Sequence, residues 1–215
     1  MTNEQKEAAE DEVNSLYNLA IEHYKQALQI QEEFVASRFH LGLMYHRIND
    51  FHEALKCFSK VLIWENKDKT VYIARGVVYQ DMGNHQLGIE DFDKAIELEP
   101  TQSEAYQLRG LSKYHIKRYN EAIEDFNEAA DRQMKLRYDN DSIPENPAID
   151  DGRGLCHHAL GNYQKAIQFY NDAIDKNKDN TTFLMHRAQC EYDQGQYDKS
   201  IEDLLIGLEV GPSDP

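Results

Sequence analysis

A 34-residue period runs through the chain and limits the folds open to it. Gly42, Gly76 and Gly110 are each 34 residues apart, and Gly154 and Ala188 repeat that spacing. The step from Gly110 to Gly154 is 44, so ten extra residues are inserted there. Twelve residues after each small residue stands another: Ala54, Gly88, Ala122, Ala166 and Ser200. Four further on come Phe58, Phe92, Phe126, Tyr170 and Leu204, and three beyond those Val61, Ala95, Ala129, Ala173 and Gly207. Self-similarity at this spacing means that each unit is one supersecondary element, too small to bury its apolar face alone and stabilised by stacking on its neighbours.

Each unit reads as two helices. Ile89, Phe92, Ala95 and Ile96 recur at helical spacing, with Glu90, Asp93, Lys94 and Glu97 on the opposite face. Asn49–Asp50, Gly83–Asn84 and Gly161–Asn162 precede the second half of their units, as turn and N-cap residues do. Pro100 and Pro212 stand where a second helix should stop. Two antiparallel helices approach closely only where one lacks bulk, so Gly76 makes room for Phe92. The small residues and the rings are therefore read as core, as are Cys156 and Cys190, which share one repeat position.

The pattern resembles the tetratricopeptide repeat. That resemblance implies an all-α, right-handed α-solenoid of about six helix–turn–helix repeats. The units fall near 15–34, 35–68, 69–102, 103–134, 147–180 and 181–212, with an insertion at 135–146. Leu16–Ile30 is expected as a second helix; residues 1–14, with only Ala8, Ala9 and Val13 to bury, form an atypical polar segment ahead of a repeat domain at 15–215. The family's bulky residue at repeat position 4 is met by Tyr72 and Tyr106, but Arg38, Asp150 and Leu184 stand there in other units. Its aromatic at position 11 is met by Tyr45 and Tyr79 and lost to Lys113, His157 and Glu191.

In the insertion, Met134, Leu136 and Tyr138 extend the preceding helix by one or two turns. Asp139–Asn140–Asp141–Ser142 then breaks it, and Pro144 and Pro147 hold an extended loop. The acidic residues lack the glycine and final glutamate of a calcium loop, so a solvated loop is expected. The sequons at Asn140 and Asn180 are expected to go unused, because the acidic N-terminus has no apolar leader run.

No pattern for chemistry emerges. There is no phosphate-binding loop, and Gly152–Arg153–Gly154 does not continue as a dinucleotide motif. Cys156, His157 and His158 are neighbours on a helix, about 100° apart, and cannot converge on one ion. No catalytic residue, metal site or cofactor is expected, and the chain is read as non-enzymatic. Arg75, Arg109 and Arg187 each precede an aspartate by sixteen residues (Asp91, Asp125, Asp203), which predicts an ion pair between the two helices of a unit; Arg153 has Phe169 instead.

The 39 acidic against 23 basic side chains give a formal charge of −16, which repels phosphate backbones and anionic membranes. No apolar run of about 18 residues exists to span a membrane. Cys57, Cys156 and Cys190 form no CxxC pair, so a reducing, intracellular and cytoplasmic setting is expected.

What the resemblance implies for function is partner binding. In the family, positions 2, 5, 9 and 12 of the first helices commonly line the inner groove. Carried over, that groove holds Phe39, Leu43, His46, Ile73, Val77, Gln80, Leu111, Tyr114, Leu155, His158, Met185 and Tyr192. The carboxylate clamp of chaperone-binding members fails here, since its positions hold Phe39, Leu43, Ala74, Glu104 and Leu108. A neutral or basic, partly apolar peptide or helix suits the surface better. The alternatives are a structural subunit or spacer of a large assembly, such as a ciliary or trafficking complex, and a regulatory module of an enzyme. The last helix breaks the outward-polar pattern with Leu205, Ile206 and Val210, which predicts a contact with a second protein or self-association there.

Overall fold

The computed structural model describes the backbone of residues 3–140 and 142–210, with side chains from Glu12 onward. Pro212 and Asp141, assigned roles above, lie outside the described residues, as do the side chains of Ala8 and Ala9. The chain divides into two compact units, Met1–Pro100 and Thr101–Pro215. The first holds α1 (Asn3–Ile30), α2 (Val35–Arg47), α3 (Phe51–Trp64), α4 (Lys69–Asp81) and α5 (His85–Leu98). The second holds α6 (Ser103–His115), α7 (Tyr119–Asp139), α8 (Pro147–Ala159), α9 (Tyr163–Lys176), α10 (Thr181–Asp193) and α11 (Tyr197–Val210). Among the described residues there are eleven helices and no strand.

The helices pair as hairpins: α2–α3 and α4–α5 in the first unit, α6–α7, α8–α9 and α10–α11 in the second. One turn geometry serves all five. The residue two positions before the start of each second helix has a left-handed backbone: Asn49 (φ 60°), Gly83 (74°), Lys117 (64°), Gly161 (74°) and Gly195 (84°). The next amide closes the turn on a carbonyl five residues back, as Asp50 N does on Tyr45 O at 2.8 Å and Gln196 N on Glu191 O at 2.8 Å. This arrangement caps the carbonyls of the first helix and reverses the chain. Helix starts are capped by side-chain oxygens that accept from backbone amides: Asp50 from Glu53 N (3.3 Å), Asp68 from Thr70 N (2.8 Å), Asn146 from Ala148 N (3.1 Å) and Asn180 from Thr182 N (3.0 Å).

Ala54, Phe58, Val61, Phe92, Ala95, Ala122, Phe126, Ala129, Ala166, Tyr170 and Ala173 are buried where the period placed them. The small residues face the rings at contact distance. A Cβ built on Gly42 would lie 2.7 Å from Phe58 Cε1, on Gly76 2.6 Å from Phe92 Cε1, and on Gly154 2.5 Å from Tyr170 Cε1. A ring also reaches the next first helix: a Cβ on Gly152 would lie 2.4 Å from Phe126 Cζ.

The three arginine–aspartate pairs form as the spacing implied, and each is bidentate. Arg75 donates to Asp91 at 2.8 and 2.7 Å, Arg109 to Asp125 at 3.0 and 2.6 Å, and Arg187 to Asp203 at 2.7 and 2.6 Å. All three carboxylates are buried, so these pairs lock the hairpins from inside rather than on the surface. Arg153, without an aspartate partner on α9, lies over the Phe169 ring at 5.4 Å and donates to Asp150 at 3.1 Å.

Three expectations need correction. Residues 3–14 are not a segment apart from a helix beginning at Leu16: α1 is continuous from Asn3 to Ile30, with no glycine or proline to interrupt it. Its C-terminal half packs on α2 through Ile21, Tyr24 and Leu28. Leu204 does not repeat the burial of the four rings and is 48% exposed. Ile73 is only 7% exposed and belongs to the core rather than to an open groove.

Candidate functional site

The first helices of each unit present one face to solvent, and positions 5, 9 and 12 are placed on it to different depths. In the first unit, Phe39 and Leu43 are half-buried against the cluster around Phe58, with the Phe39 and Phe58 ring centroids 5.7 Å apart. Val77 and Gln80 are also half-buried. His46 Nε2 lies 2.6 Å from Asp81 Oδ2, and its ring is 6.0 Å from Phe51.

In the second unit the same positions stand further out. Leu111, Tyr114, Leu155 and His158 are half-buried, while Met185 is 55% and Tyr192 58% exposed. The residues at position 12 each meet an aromatic that opens the second helix of their hairpin. Tyr114 lies 5.7 Å from Tyr119, His158 5.8 Å from Tyr163, and Tyr192 5.3 Å from Tyr197. The result is a row of paired rings along one edge of the face. His158 Nε2 also lies 2.9 Å from Asp193 Oδ2.

Three histidine–aspartate contacts, His46–Asp81, His158–Asp193 and His186–Asp151, tie successive first helices together, and the sequence reading missed all three. The signal was present: each pair is separated by 35 residues, one more than the period. Asp151, buried on α8, is the least expected residue on this face.

The remaining candidates show no reactive arrangement. Cys57, Cys156 and Cys190 are buried and free. Burial pushes their thiols up to about 11, 12 and 11, so none is a thiolate near neutral pH. His157 stacks on Phe169 at 5.5 Å, and burial lowers its pKa, while His158 turns to Asp193. Among the described residues, no group of three or more His, Cys, Asp or Glu is placed to hold a metal ion. Also among them, no helix is long and apolar enough to cross a membrane.

A second surface lies on α11. Ile201, Leu204, Leu205 and Leu208 are 56, 48, 56 and 78% exposed and share one helical face. Leu205, the expected contact residue, is in this stripe; Ile206 (38%) and Val210 (42%) lie off it and are less open. Ile201 was missed; its repeat position is buried at Ile89 and half-buried at Leu55, Ile123 and Ile167.

The 34-residue hairpin, repeated with its small residue facing a ring, decides the family. Tetratricopeptide repeat models match residues 35–68, 70–102, 103–133 and 157–215. The chain belongs to the tetratricopeptide repeat family. No curated protein matches it in sequence. Among solved structures, a tetratricopeptide repeat protein from Parabacteroides merdae is similar, with a TM-score of 0.77 and 21% identity over 97% of this chain and 78% of that one. PilF of Pseudomonas aeruginosa is similar at TM-score 0.71 and 20% identity, covering 85% of this chain and 79% of its own. YrrB, described as a tetratricopeptide repeat protein with an unusual peptide-binding site, matches at TM-score 0.63 and 14% identity over 88% of this chain and 93% of that one. At these identities the likeness is one of fold.

Proposed function

We propose that this tetratricopeptide protein is a non-enzymatic scaffold that holds a neutral or basic, partly apolar segment of a protein partner along its first helices. The observation that carries the reading is Met185 and Tyr192 on α10. They are seven residues apart, share one face, and stay more than half exposed although the opposite face of the helix is buried. Apolar and aromatic side chains held open in this way suit a partner surface. The formal charge of −16 favours a basic segment over an acidic one. The peptide-binding site named for YrrB is a precedent within the fold.

The test is the double variant Met185→Glu with Tyr192→Glu. Both residues are exposed, so circular dichroism and the unfolding midpoint should stay unchanged while the partner retained by the wild-type protein in its source lysate is lost. A folded variant that retains the same partner overturns the reading.

We also propose that α11 meets a second copy of the chain. The support is its stripe of four exposed apolar side chains, which water meets at a cost of about 25 cal/mol per Å². Leu205→Asp with Ile206→Lys is expected to leave the protein folded and to lower its mass in sedimentation equilibrium. An unchanged mass overturns this contact.

A further inference from the structure

Two departures from the repeat meet at the α8–α9 hairpin. Arg75, Arg109, Arg153 and Arg187 share one repeat position. Three of them spend the same edge of the guanidinium, Nε and Nη2, on a buried aspartate of their own hairpin. Arg153 has Phe169 where that aspartate stands in the other three. Its Nη1 donates to Asp150 at 3.1 Å, its guanidinium lies over the Phe169 ring, and its Nε is buried with no partner. The second departure is the ten-residue insertion, which brings Arg137 and Glu145 beside the same hairpin. Gln133 fixes it there, donating to Pro144 O at 3.3 Å and accepting from Asn146 N at 3.2 Å.

Between the insertion, α7, α8 and the end of α9 lies a cleft of about 270 Å³, all within the second unit. Arg137, Arg153 and Lys176 line it, with Ala130, Met134 and Ile149 as its apolar part. Arg137, like Arg153, has a buried Nε with no partner. The two carboxylates among these cations are already engaged. Glu145 accepts from Arg137 and, at 3.2 Å, from Lys176; Asp150 accepts from Arg153 and, at 2.6 Å, from Lys176. Asp131 also lines the cleft but is exposed to solvent. Three cations therefore face two engaged carboxylates, in a chain whose formal charge is −16.

A buried N–H without an acceptor is unfavourable, and two arginines of one cleft each carry one. At the same repeat position in the other hairpins, the acceptor is a carboxylate. The local excess of one positive charge matches a monovalent carboxylate. A phosphate, at about −1.5 to −2, would be repelled by Glu145 and Asp150. Ala130, Met134 and Ile149 suit a short alkyl stem behind the charged group. We propose that the cleft is a receptor for one aliphatic carboxylate, held by Arg153 with Arg137 and Lys176 beside it. The Arg153 guanidinium turns its Nε edge to the ligand, as Arg75, Arg109 and Arg187 do to their aspartates. Ile149, Asp150 and Arg153 stand at positions 3, 4 and 7 of their repeat, apart from positions 5, 9 and 12. The site thus goes beyond the first-helix reading and does not rest on it.

The test follows the arginine Nε–H signals of the full chain by heteronuclear NMR while butyrate is added at constant ionic strength. The Arg153 and Arg137 signals are expected to shift and saturate, and those of Arg75, Arg109 and Arg187 to stay. Butyramide, the neutral isostere, should have no effect. Arg153→Lys keeps the charge and removes the fork, so it should weaken butyrate binding about tenfold. Phe169→Asp supplies the aspartate of the other hairpins; it should fold as they do, fill the fork and abolish binding, even where Arg153→Lys is unstable. The peptide acetyl-Ala-Glu-Ala-amide, set against its glutamine analogue, separates the sources of the carboxylate. Shifts at the same signals with the glutamate peptide assign the site to an acidic side chain of a partner; butyrate binding without them assigns it to a small free acid. No saturable shift at Arg153, an equal response to butyramide, tighter binding of inorganic phosphate than of butyrate, or butyrate binding that survives Phe169→Asp overturns the receptor.

Discussion

Replacing Gly76 by alanine tests the close approach on which the hairpins depend. The added Cβ would lie 2.6 Å from Cε1, 2.9 Å from Cζ and 3.1 Å from Cδ1 of Phe92. Carbon atoms in contact prefer about 3.5–4.0 Å, so the ring must move by roughly 1 Å. Phe92 is 0% exposed and has nowhere to go. Overpacking of this kind costs about 1–3 kcal/mol, and the better helix propensity of alanine returns about 0.8–1.0 kcal/mol. With all three contacts short, a net loss of about 1–2 kcal/mol is expected. Gly110 is the internal comparison. There a Cβ meets Ala122 O, Asp125 Cβ and Phe126 Cε1 each at 3.3 Å, and a few tenths of an ångström of adjustment suffices. Gly110→Ala should therefore be near neutral, because the propensity gain offsets the crowding. Urea midpoints of the two variants should differ clearly, and Gly76→Ala combined with Phe92→Leu should recover part of the loss by removing the struck atoms. Equal midpoints for Gly76→Ala and Gly110→Ala, or strict additivity in the double variant, would refute the claim that the glycine–ring contact sets the hairpin spacing.

Two further outcomes follow from single residues. Lys117 holds the left-handed turn position at φ 64°, where other turns use glycine, so Lys117→Gly should raise stability by about 0.5–1 kcal/mol in urea, and a loss would mean that its side chain makes a contact the turn needs. Glu191 is buried with Oε2 unpartnered, and burial, then the Asp203 charge, raise its pKa above the unfolded value. The ionised form therefore destabilises the folded protein above the folded pKa, and stability returns as pH falls through it. Glu191→Gln should stabilise at pH 7 and lose that advantage toward about pH 4; an advantage that persists unchanged would show that charge is not the cause.

Much of the fold was legible because the hairpin uses a few residue types at fixed steps. Gly42, Gly76 and Gly154 are small because a ring occupies the space a Cβ would take, and that requirement prints itself on the sequence once per unit. The arginine–aspartate pairs were legible for the same reason: a spacing of sixteen joins the two helices of one hairpin, and the geometry repeats. The turns were half legible. Gly83 and Gly161 announce a left-handed residue, whereas Lys117 adopts the same backbone with no sign in its identity, held by the neighbouring hydrogen bonds. The candidate site was harder, because depth on a helix face depends on what stacks beside it. Ile73 and Met185 share position 5, yet one is 7% and the other 55% exposed. Residue type and spacing are the same kind of information for both; the difference comes from the neighbours.

Leu204 makes the same point at the core itself. Its repeat position is fully buried in the other four hairpins, with Phe58, Phe92, Phe126 and Tyr170 at 0, 0, 1 and 0% exposure. Burial there has two sources. One is the first helix of the same hairpin, as Gly154 shows against Tyr170; the other is the first helix that comes next, as Gly152 shows against Phe126 and His186 against Tyr170. Leu204 has the first source in α10 and, among the described residues, lacks the second. Nearly half of it stays in water as a result, even though Arg187 and Asp203 close the α10–α11 hairpin as tightly as the other pairs do theirs. A repeat position is therefore a promise of burial that only a neighbour can keep. The stripe from Ile201 to Leu208 is the measure of what one more packed surface would cover, and that is why the α11 variant is expected to report on assembly rather than on the stability of the hairpin.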